Sequence, residues 1–335
     1  MTTSNATLES KTGDRRRWRW GVNRWLILLF VILGFFAARA YPPVLPHIQL
    51  PAERLSETPL NLPIVGPIYL TNTLVATLIA DVILLLIAFS VFRVVRSGKL
   101  VPGGIAGVIE AILEAINNLT ESTAGKWAKT IFPFFATITL LVLVVNWMEL
   151  IPGVDSIGLL HETEHGYPIE EVAPGIYTIV PPEGEEEHAG YGIIPFVRVA
   201  STDLNFTVAL ALIAVTMTQV IGFRSLGGGY FLKFFNISGL FKRPVFGAID
   251  FAVSLLELIS EISKLLSFSF RLFGNIFAGS VLLFVIGTLV PVFAQSLFLG
   301  LEFFVGVIQA LVFGMLTMIF MAQATQGHGD HEEHA

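Results

Sequence analysis

The chain contains no cysteine and little charge. Of its 335 residues, 14% are charged and 54% are hydrophobic, and the mean hydropathy is +0.73. Without cysteine, neither a disulfide framework nor a thiolate metal site can form. So apolar a composition is typical of a polytopic membrane protein surrounded by lipid, not of a soluble globular protein. The net charge of −6 also argues against a nucleic-acid partner.

Basic residues are nearly missing from the 92 residues after Arg243. After Arg243 the only ones are Lys264 and Arg271, whereas acids are concentrated between Asp155 and Glu187. Most other bases lie in four blocks, at residues 11–24, 93–99, 126–129 and 224–243. Because basic short loops face the cytoplasm, this pattern predicts an extracytoplasmic acidic loop and a cytoplasmic C-terminus.

The pattern divides the chain into four parts. Residues 1–40 form either a secretory signal ending at Ala38-Arg39-Ala40 or an uncleaved N-terminal anchor helix, and both interpretations remain open. An extracytoplasmic, proline-rich segment follows at residues 41–68. We expect a membrane domain at residues 69–324, with its acidic outer loop at 152–198, and a flexible tail rich in histidine and acid at 325–335.

The predicted fold is an all-α polytopic membrane protein with about five to six transmembrane helices. The expected spans are residues 69–92, 131–151, 204–223, 246–290 and 296–323, and the last two form a hairpin. The first helix of this hairpin would extend about 67 Å, against a hydrocarbon core of ~30 Å, so it must be steeply tilted, broken or partly outside the membrane. Between the first two spans, Glu110, Glu114 and Asn117 share one face of a predicted amphipathic surface helix.

Arg271 lies within the apolar stretch 265–290. A charge there costs roughly 2.5–3.5 kcal/mol on insertion scales and marks an ion path or a charge partner. Its guanidinium keeps its proton at any accessible pH, so it cannot relay protons. It can favour the ionised form of a carboxylate that comes close.

Polar residues form a stripe on each of the last two predicted helices. At 100° per residue, the first stripe falls within about 80° of helix surface. The second stripe has spacings that are multiples of seven. Two such stripes, facing each other inside an apolar protein, predict a hydrated path. The first contains Asp250, Glu257, Glu261, Lys264, Arg271 and Asn275, and the second contains Gln295, Glu302, Gln309 and Gln323.

Structural interpretations of the same residues remain open. Glu261 and Lys264 could simply neutralise each other, and Arg271 could form a structural salt bridge with Glu302. Glu257 could be a solvated residue at the membrane edge, and Asp81 a hydrogen-bonding residue of helix packing. No cofactor or metal site is expected. The tail histidines could bind a metal, but a flexible solvated end is favoured, and the same holds for the histidines of the acidic loop. The six are His328, His331 and His334 in the tail, and His161, His165 and His188 in the loop.

Four motifs carry a resemblance to a known family. They are SFRLFGNIFAG around Arg271, NWMELIPG from Asn146, STDLNFT from Ser201 and EFFVGVIQALVFGMLT from Glu302. In this order they closely resemble subunit a of the membrane sector of F-type ATP synthases, over residues 69–324. RLFGN followed by QALVF is a highly specific pair.

The resemblance implies a proton-translocating stator subunit with two half-channels, which couples ion flow to rotation and ATP synthesis. Its partners would be the ring of c subunits, the subunit b stalk and the rest of the synthase, and its location the inner (plasma) membrane of a bacterium. Whether the chain counts as an enzyme stays open, because the nucleotide chemistry would belong to other subunits. The coupling ion, proton or sodium, is not readable from the sequence.

The resemblance also implies roles for individual residues. Arg271 would face the carboxylate of the ring, and Glu257 would belong to the cytoplasmic half-channel. Some family members have an acid at the position of Ser280 and histidine at that of Glu302, so Glu302 is the better candidate for a titrating group here. The remaining residues implied on the path are Asn205, Asn275, Ser280, Glu302 and Gln309 around the outer half-channel, and Asp203 in the STDLNFT motif.

Two other functions are weaker alternatives. A secondary transporter would normally contain internal repeats, and the sequence has none that we detect. A purely structural membrane anchor would leave the cost of an intramembrane arginine without a function.

Overall fold

A computed structural model describes residues 20–40, 51–63, 66–96, 104–151, 153–163, 166–180, 190–234, 244–289 and 293–326. The predictions about the first 19 residues, His165, His188 and the histidines of the tail lie outside these ranges. Helices dominate the described residues, and the predicted all-α polytopic class is confirmed. The helices are α1 (Trp20–Ala40), α2 (Asn72–Arg96), α3 (Ile105–Ala124), α4 (Ala128–Trp147), α5 (Leu204–Leu226), α6 (Pro244–Leu289) and α7 (Phe293–Ala324).

Five helical stretches in the described part are long and apolar enough to cross a membrane. A shorter apolar helix, Arg24–Phe36, lies within α1. The expected number of five to six spans is therefore confirmed. The five are Asn72–Arg96, Ala106–Leu150, Leu204–Tyr230, Phe251–Leu289 and Ala294–Ala324.

Helix α3 is amphipathic, as its sequence predicts. Glu110 and Glu114 are exposed, whereas Ile116 and Thr120 are buried on another face. The helix ends at Gly125, whose φ of 51° suits a glycine because it has no side chain to clash. A short 3₁₀ turn then leads directly into α4.

Two glycines let α4 and α7 approach closely. A side chain at Gly314 would overlap Thr139 and come within 2.9 Å of Phe135, and one at Gly306 would come within 3.4 Å of Trp147. Since protein interiors are close-packed, these positions allow only glycine without local rearrangement. The close contact fixes the end of α4 against the middle of α7.

Helix α6 runs unbroken for 46 residues, or about 69 Å. Of the three expectations for this segment, a break is therefore wrong. It forms a hairpin with α7, in which the ring of Phe268 lies 5.3 Å from Phe313 and 5.5 Å from Phe320. These large side chains hold the two helices side by side in their middle.

The sequence did not predict the strands outside the helices. Within the described residues they form three two-stranded antiparallel sheets. Strand β3 pairs with β6 along its whole length, from Gly158 opposite Pro195 to Thr163 opposite Gly190. The acidic loop therefore leaves and rejoins the membrane domain at neighbouring points. The strands are β1 (Leu60–Leu62), β2 (Gly66–Ile68), β3 (Gly158–Thr163), β4 (Ile169–Ala173), β5 (Ile176–Ile179) and β6 (Gly190–Pro195).

The core lies along α4, with α2, α5, α6 and α7 around it. Alanines face this core from α2 and α5, so these helices approach without large side chains between them. Much of the remaining helix surface is apolar and exposed, for example Leu85 on α2 and Leu256 on α6. Such surface suits contact with lipid or with other membrane helices. Central core residues are Ala76, Ala80, Val142, Val145, Ala214, Leu272 and Ile276.

Candidate ion path

Arg271 lies in the middle of α6 with its side chain exposed. Its guanidinium Nη2 donates a hydrogen bond of 3.2 Å to Ser267 Oγ, one turn earlier on the same helix. Within the described residues it has no ion pair, and the proposed structural salt bridge with Glu302 is not formed. The charge is thus directed to the outside of the chain, where water or a partner can meet it.

Glu302 is buried, with 6% of its surface exposed. Its carboxylate lies against Gly279 of α6, so closely that a Cβ atom there would be 2.6 Å from the carboxyl carbon. The sequence predicted that the two polar stripes face each other. Instead, Glu302 of α7 contacts Gly279 of α6. Because glycine has no side chain, it leaves room for the carboxylate within the hairpin.

The next residue of α6, Ser280, contacts a second acid. Its Oγ forms a short hydrogen bond with Oε1 of Glu149, which follows α4 in the 3₁₀ turn Met148–Leu150. The same Oγ lies 3.1 Å from the carbonyl oxygen of Ile276. Adjacent residues of α6 therefore hold the carboxylates of two different segments.

A hydrogen-bonded group positions Glu149. Ser201 Oγ donates to Asn146 Oδ1 (2.7 Å), and Asn146 Nδ2 donates to the carbonyl of Gly306 (3.3 Å). The ring of Trp147 stacks on Phe303 with centroids 4.9 Å apart. These contacts fix the end of α4 beside the Glu302 segment of α7. The motifs NWMELIPG and STDLNFT, which are far apart in sequence, therefore meet at one site.

Asp203 begins α5. Its Oδ1 accepts a 2.9 Å hydrogen bond from the backbone N–H of Asn205, and its Oδ2 accepts one of 3.0 Å from Thr73 Oγ1. The first bond is an N-cap, which typically stabilises a helix by about 1 kcal/mol. This geometry gives Asp203 a structural role, and its place on a proton path stays a prediction. Asn205 itself has an exposed side chain.

The other predicted polar residues of the hairpin do not meet the carboxylates directly. Asn275 is exposed and Gln309 is half-buried. Gln295 lies against Gly287, where a Cβ would be 3.2 Å from its amide nitrogen. The α7 stripe thus repeats the contact of a polar side chain with a glycine of α6.

A second polar group lies at the other end of α6. Glu261 is 8% exposed and pairs with Lys264 at 2.8 Å, as one of the two interpretations predicted. Gln219 Nε2 donates to Glu261 Oε2 (2.9 Å), and Tyr230 donates from its hydroxyl to Gln219 Oε1 (2.7 Å). Glu257 is half-buried one turn before Glu261. These residues form a polar patch between α5, α6 and the turn after α5.

Sequence reasoning missed three residues of these groups. Glu149 stands inside a quoted motif, but its chemistry was not considered. Gln219 is an amide inside the apolar α5, four turns after Asn205, and such a residue is a signal of function in a membrane helix. No periodicity indicated Tyr230. Asp81, expected to bond within the helix packing, is instead exposed on α2 and makes no hydrogen bond to another described residue.

Charged groups also gather at the predicted outer surface. Arg198 donates to Thr202 Oγ1 (3.2 Å) and to the carbonyl of Pro51 (3.3 Å), and the carboxylates of Glu53, Asp155 and Asp203 act on it. Burial lowers the pKa of Arg198 from its usual value. Burial raises the pKa of Asp155, against the opposing effect of Arg198. The group joins the segment before α2 to the ends of α4 and α5.

Comparison with known proteins identifies the family. The profile described as "ATP synthase A chain" matches residues 74–322. The chain is 29% identical to the ATP synthase subunit a of Mycobacterium ulcerans (strain Agy99), over 78% of this chain and 89% of that protein. It is 30% identical to that of Gloeobacter violaceus (75% and 83%) and 26% identical to that of Moorella thermoacetica (78% and 94%). The chain therefore belongs to the ATP synthase A chain family, the family of subunit a of F-type ATP synthases.

Proposed function

We propose that the chain carries protons past Arg271 between an outer and a cytoplasmic half-channel. As a member of its family, it is the proton-translocating stator subunit of an F-type ATP synthase. Its direct partners in this proposal are the ring of c subunits, each with a membrane-embedded carboxylate, and the subunit b stalk. The multi-pass chain lies in the inner (plasma) membrane of a bacterium with its C-terminus in the cytoplasm. The bacterial relatives and the basic short loops support this placement.

The observation that carries the proposal is the guanidinium of Arg271, which is exposed in the middle of a long apolar helix and has no ion pair among the described residues. Such a charge is costly unless an anion meets it. A ring carboxylate that reaches Arg271 is held ionised by the guanidinium and must first have released its proton. Because Arg271 itself keeps its proton, a protonated carboxyl cannot pass it directly, and the two half-channels stay separate.

The two polar groups on either side of Arg271 suit the two half-channels. Glu302 lies beyond Arg271 in the hairpin, on the side of the acidic loop, and we assign it as the main titrating group of the outer path. Asn205, Asn275, Ser280 and Gln309 would surround this path with polar side chains and water. Glu257, near the Glu261–Lys264 pair, belongs to the cytoplasmic path.

Substitution of Arg271 tests the proposal. In the intact synthase, Arg271→Ala should abolish coupled ATP synthesis while the complex still assembles, because protonated ring carboxyls can then pass. Arg271→Lys should also fail, since an ammonium lacks the planar fork and can lose its proton when desolvated. Arg224→Ala, which removes an exposed arginine at the end of α5, is the matched control. Normal synthesis by either Arg271 variant refutes the proposal.

Substitution of Glu302 tests the outer path separately. Glu302→Gln should slow ATP-driven proton pumping in inverted vesicles strongly without dissociating the complex. The amide keeps the size of the side chain but cannot release a proton as a carboxyl does. Near-normal pumping would mean that protons travel through water and neutral side chains instead.

A further inference from the structure

We propose that Glu149 and Glu302 form a carboxylate pair that holds one proton between them, and that Glu149 is the outer member through which protons reach Glu302. The inference rests on the proposed function, since it adds a second titrating residue to the outer half-channel. Glu149 was not among the residues expected on the path.

The first support is the placement of the two carboxylates. Gly279 receives that of Glu302, and the adjacent Ser280 bonds that of Glu149. The negative charges act on each other, and that of Asp155 also acts on Glu149. Two like charges in an apolar interior repel strongly, and one shared proton removes most of that repulsion.

The second support is a count of hydrogen-bond donors. Ser280 Oγ lies within bonding distance of two acceptors, the carboxylate of Glu149 and the carbonyl of Ile276. A serine hydroxyl has a single proton and can donate to only one of them. If Glu149 is protonated, it donates to Ser280 Oγ, and the serine donates to Ile276. One added proton on Glu149 then satisfies both contacts of Ser280 Oγ.

The third support is the set of oxygens that remain. Glu149 Oε2 and Glu302 Oε1 are buried and have no hydrogen-bond partner among the described residues. A buried carboxylate oxygen without a partner is costly, and more so when it carries charge. A proton that moves between the two carboxyl groups, directly or through a water, gives each of these oxygens a hydrogen-bond partner in turn.

The sequence of steps follows from this arrangement. A proton from the outer aqueous phase binds the ionised member of the pair, and the pair then holds two protons. Glu302 releases one of them to an ionised ring carboxylate near Arg271, and the pair returns to one proton. Only O–H bonds form and break, so the proton count balances at each step. Asp155 and Arg198 lie near the two ends of the acidic loop, and the charge of Asp155 acts on both Glu149 and Arg198.

Glutamine substitutions in the intact synthase test the pair. We expect Glu149→Gln to reduce ATP-driven pumping in inverted vesicles by roughly 100-fold, the low end for one acid–base group. The double variant with Glu302→Gln should pump no worse than the poorer single variant, because the pair acts as a unit. Passive proton conduction of vesicles stripped of the catalytic sector should show a changed pH profile in Glu149→Gln. Glu114→Gln on α3 is the matched control, since that acid is exposed and belongs to neither of the polar groups described above.

The outcomes separate a proton-carrying role from a structural one. Glutamine at position 149 can still accept the hydrogen bond of Ser280. If Glu149 has only a structural role, Glu149→Gln should therefore show wild-type pumping and an unchanged pH profile. Either result overturns the inference. Losses that multiply in the double variant would also overturn it, since they mean two independent groups. Glu149→Asp, which keeps a carboxylate, should recover part of the activity. If Arg271→Ala retained coupled synthesis, the proposed function itself would fail, whatever the result at Glu149.

Discussion

Substitution of Gly279 by alanine measures how closely the carboxylate of Glu302 lies against α6. A Cβ atom at this position would be 2.6 Å from the carboxyl carbon of Glu302 and nearer still to both of its oxygens. Ordinary contacts between such atoms are about 3.5–4.0 Å, so the carboxylate must move by about 1 Å. The neighbouring backbone cannot give way, because Gly279 lies inside a continuous helix.

This geometry gives two magnitudes. Overpacking of a tight interior typically costs about 1–3 kcal/mol, partly offset by the roughly 1 kcal/mol that alanine gains over glycine in a helix. We therefore expect Gly279→Ala to lower the free energy of unfolding modestly, by about 0–2 kcal/mol. A shift of 1 Å in a reacting group can reduce a rate about 100-fold. Proton pumping should consequently fall far more than stability does.

Gly300 provides the matched control, two residues before Glu302 on α7. It is exposed, and a Cβ there would meet nothing within 4 Å. Gly300→Ala should therefore keep wild-type pumping and match or exceed wild-type stability. The assays are thermal unfolding of the purified complex and ATP-driven acidification of inverted vesicles.

A shorter acid provides the rescue. Combining Gly279→Ala with Glu302→Asp removes one methylene and makes room for the new Cβ, so pumping should recover partly. Equal behaviour of Gly279→Ala and Gly300→Ala in both assays would refute the reasoning, since it would mean that the carboxylate of Glu302 does not rest on Gly279.

Three further predictions concern topology, the second polar group and the outer surface. In this cysteine-free chain, a cysteine at Val172, which is 68% exposed, should react with an impermeant thiol reagent in intact cells, and one at Gly228 should not. Reversed labelling would mean that the outer and cytoplasmic half-channels lie on the opposite sides of the membrane from those proposed. Lys264→Met should destabilise the protein by about 3–5 kcal/mol in thermal or denaturant unfolding, because it removes the ammonium that pairs with the buried carboxylate of Glu261. Adding Glu261→Gln should restore most of the loss. Burial raises the pKa of Asp155 above 3.8, so ionisation of this residue destabilises the folded state increasingly as the pH rises from 3.8 through the pKa of the folded protein. The stability of Asp155→Asn relative to wild type should therefore increase from acid to neutral pH in thermal unfolding. A stability difference that does not change with pH would contradict the raised pKa.

The amino-acid sequence by itself determined the class of the protein and the general course of the chain. Long apolar runs can satisfy their backbone only as helices in a bilayer, so composition and length suffice to predict five or six spans. The importance of Arg271 could also be inferred from the sequence, because a permanent cation in an apolar run has few physical explanations. The motifs around it identified the family without any contact being known.

The tertiary structure decided which polar residues meet. A helical projection gives the face of each residue but not the neighbour that the face contacts. Glu302 was therefore expected opposite the polar stripe of α6, and it lies against Gly279 instead. Glu149 and Ser280 are 131 residues apart, and only the packing of α4 on the hairpin brings them together. The same packing leaves Arg271 exposed and buries Glu261, although the sequence places both on one stripe. Local periodicity fixes direction around a single helix axis, whereas proximity depends on contacts between helices far apart in the chain.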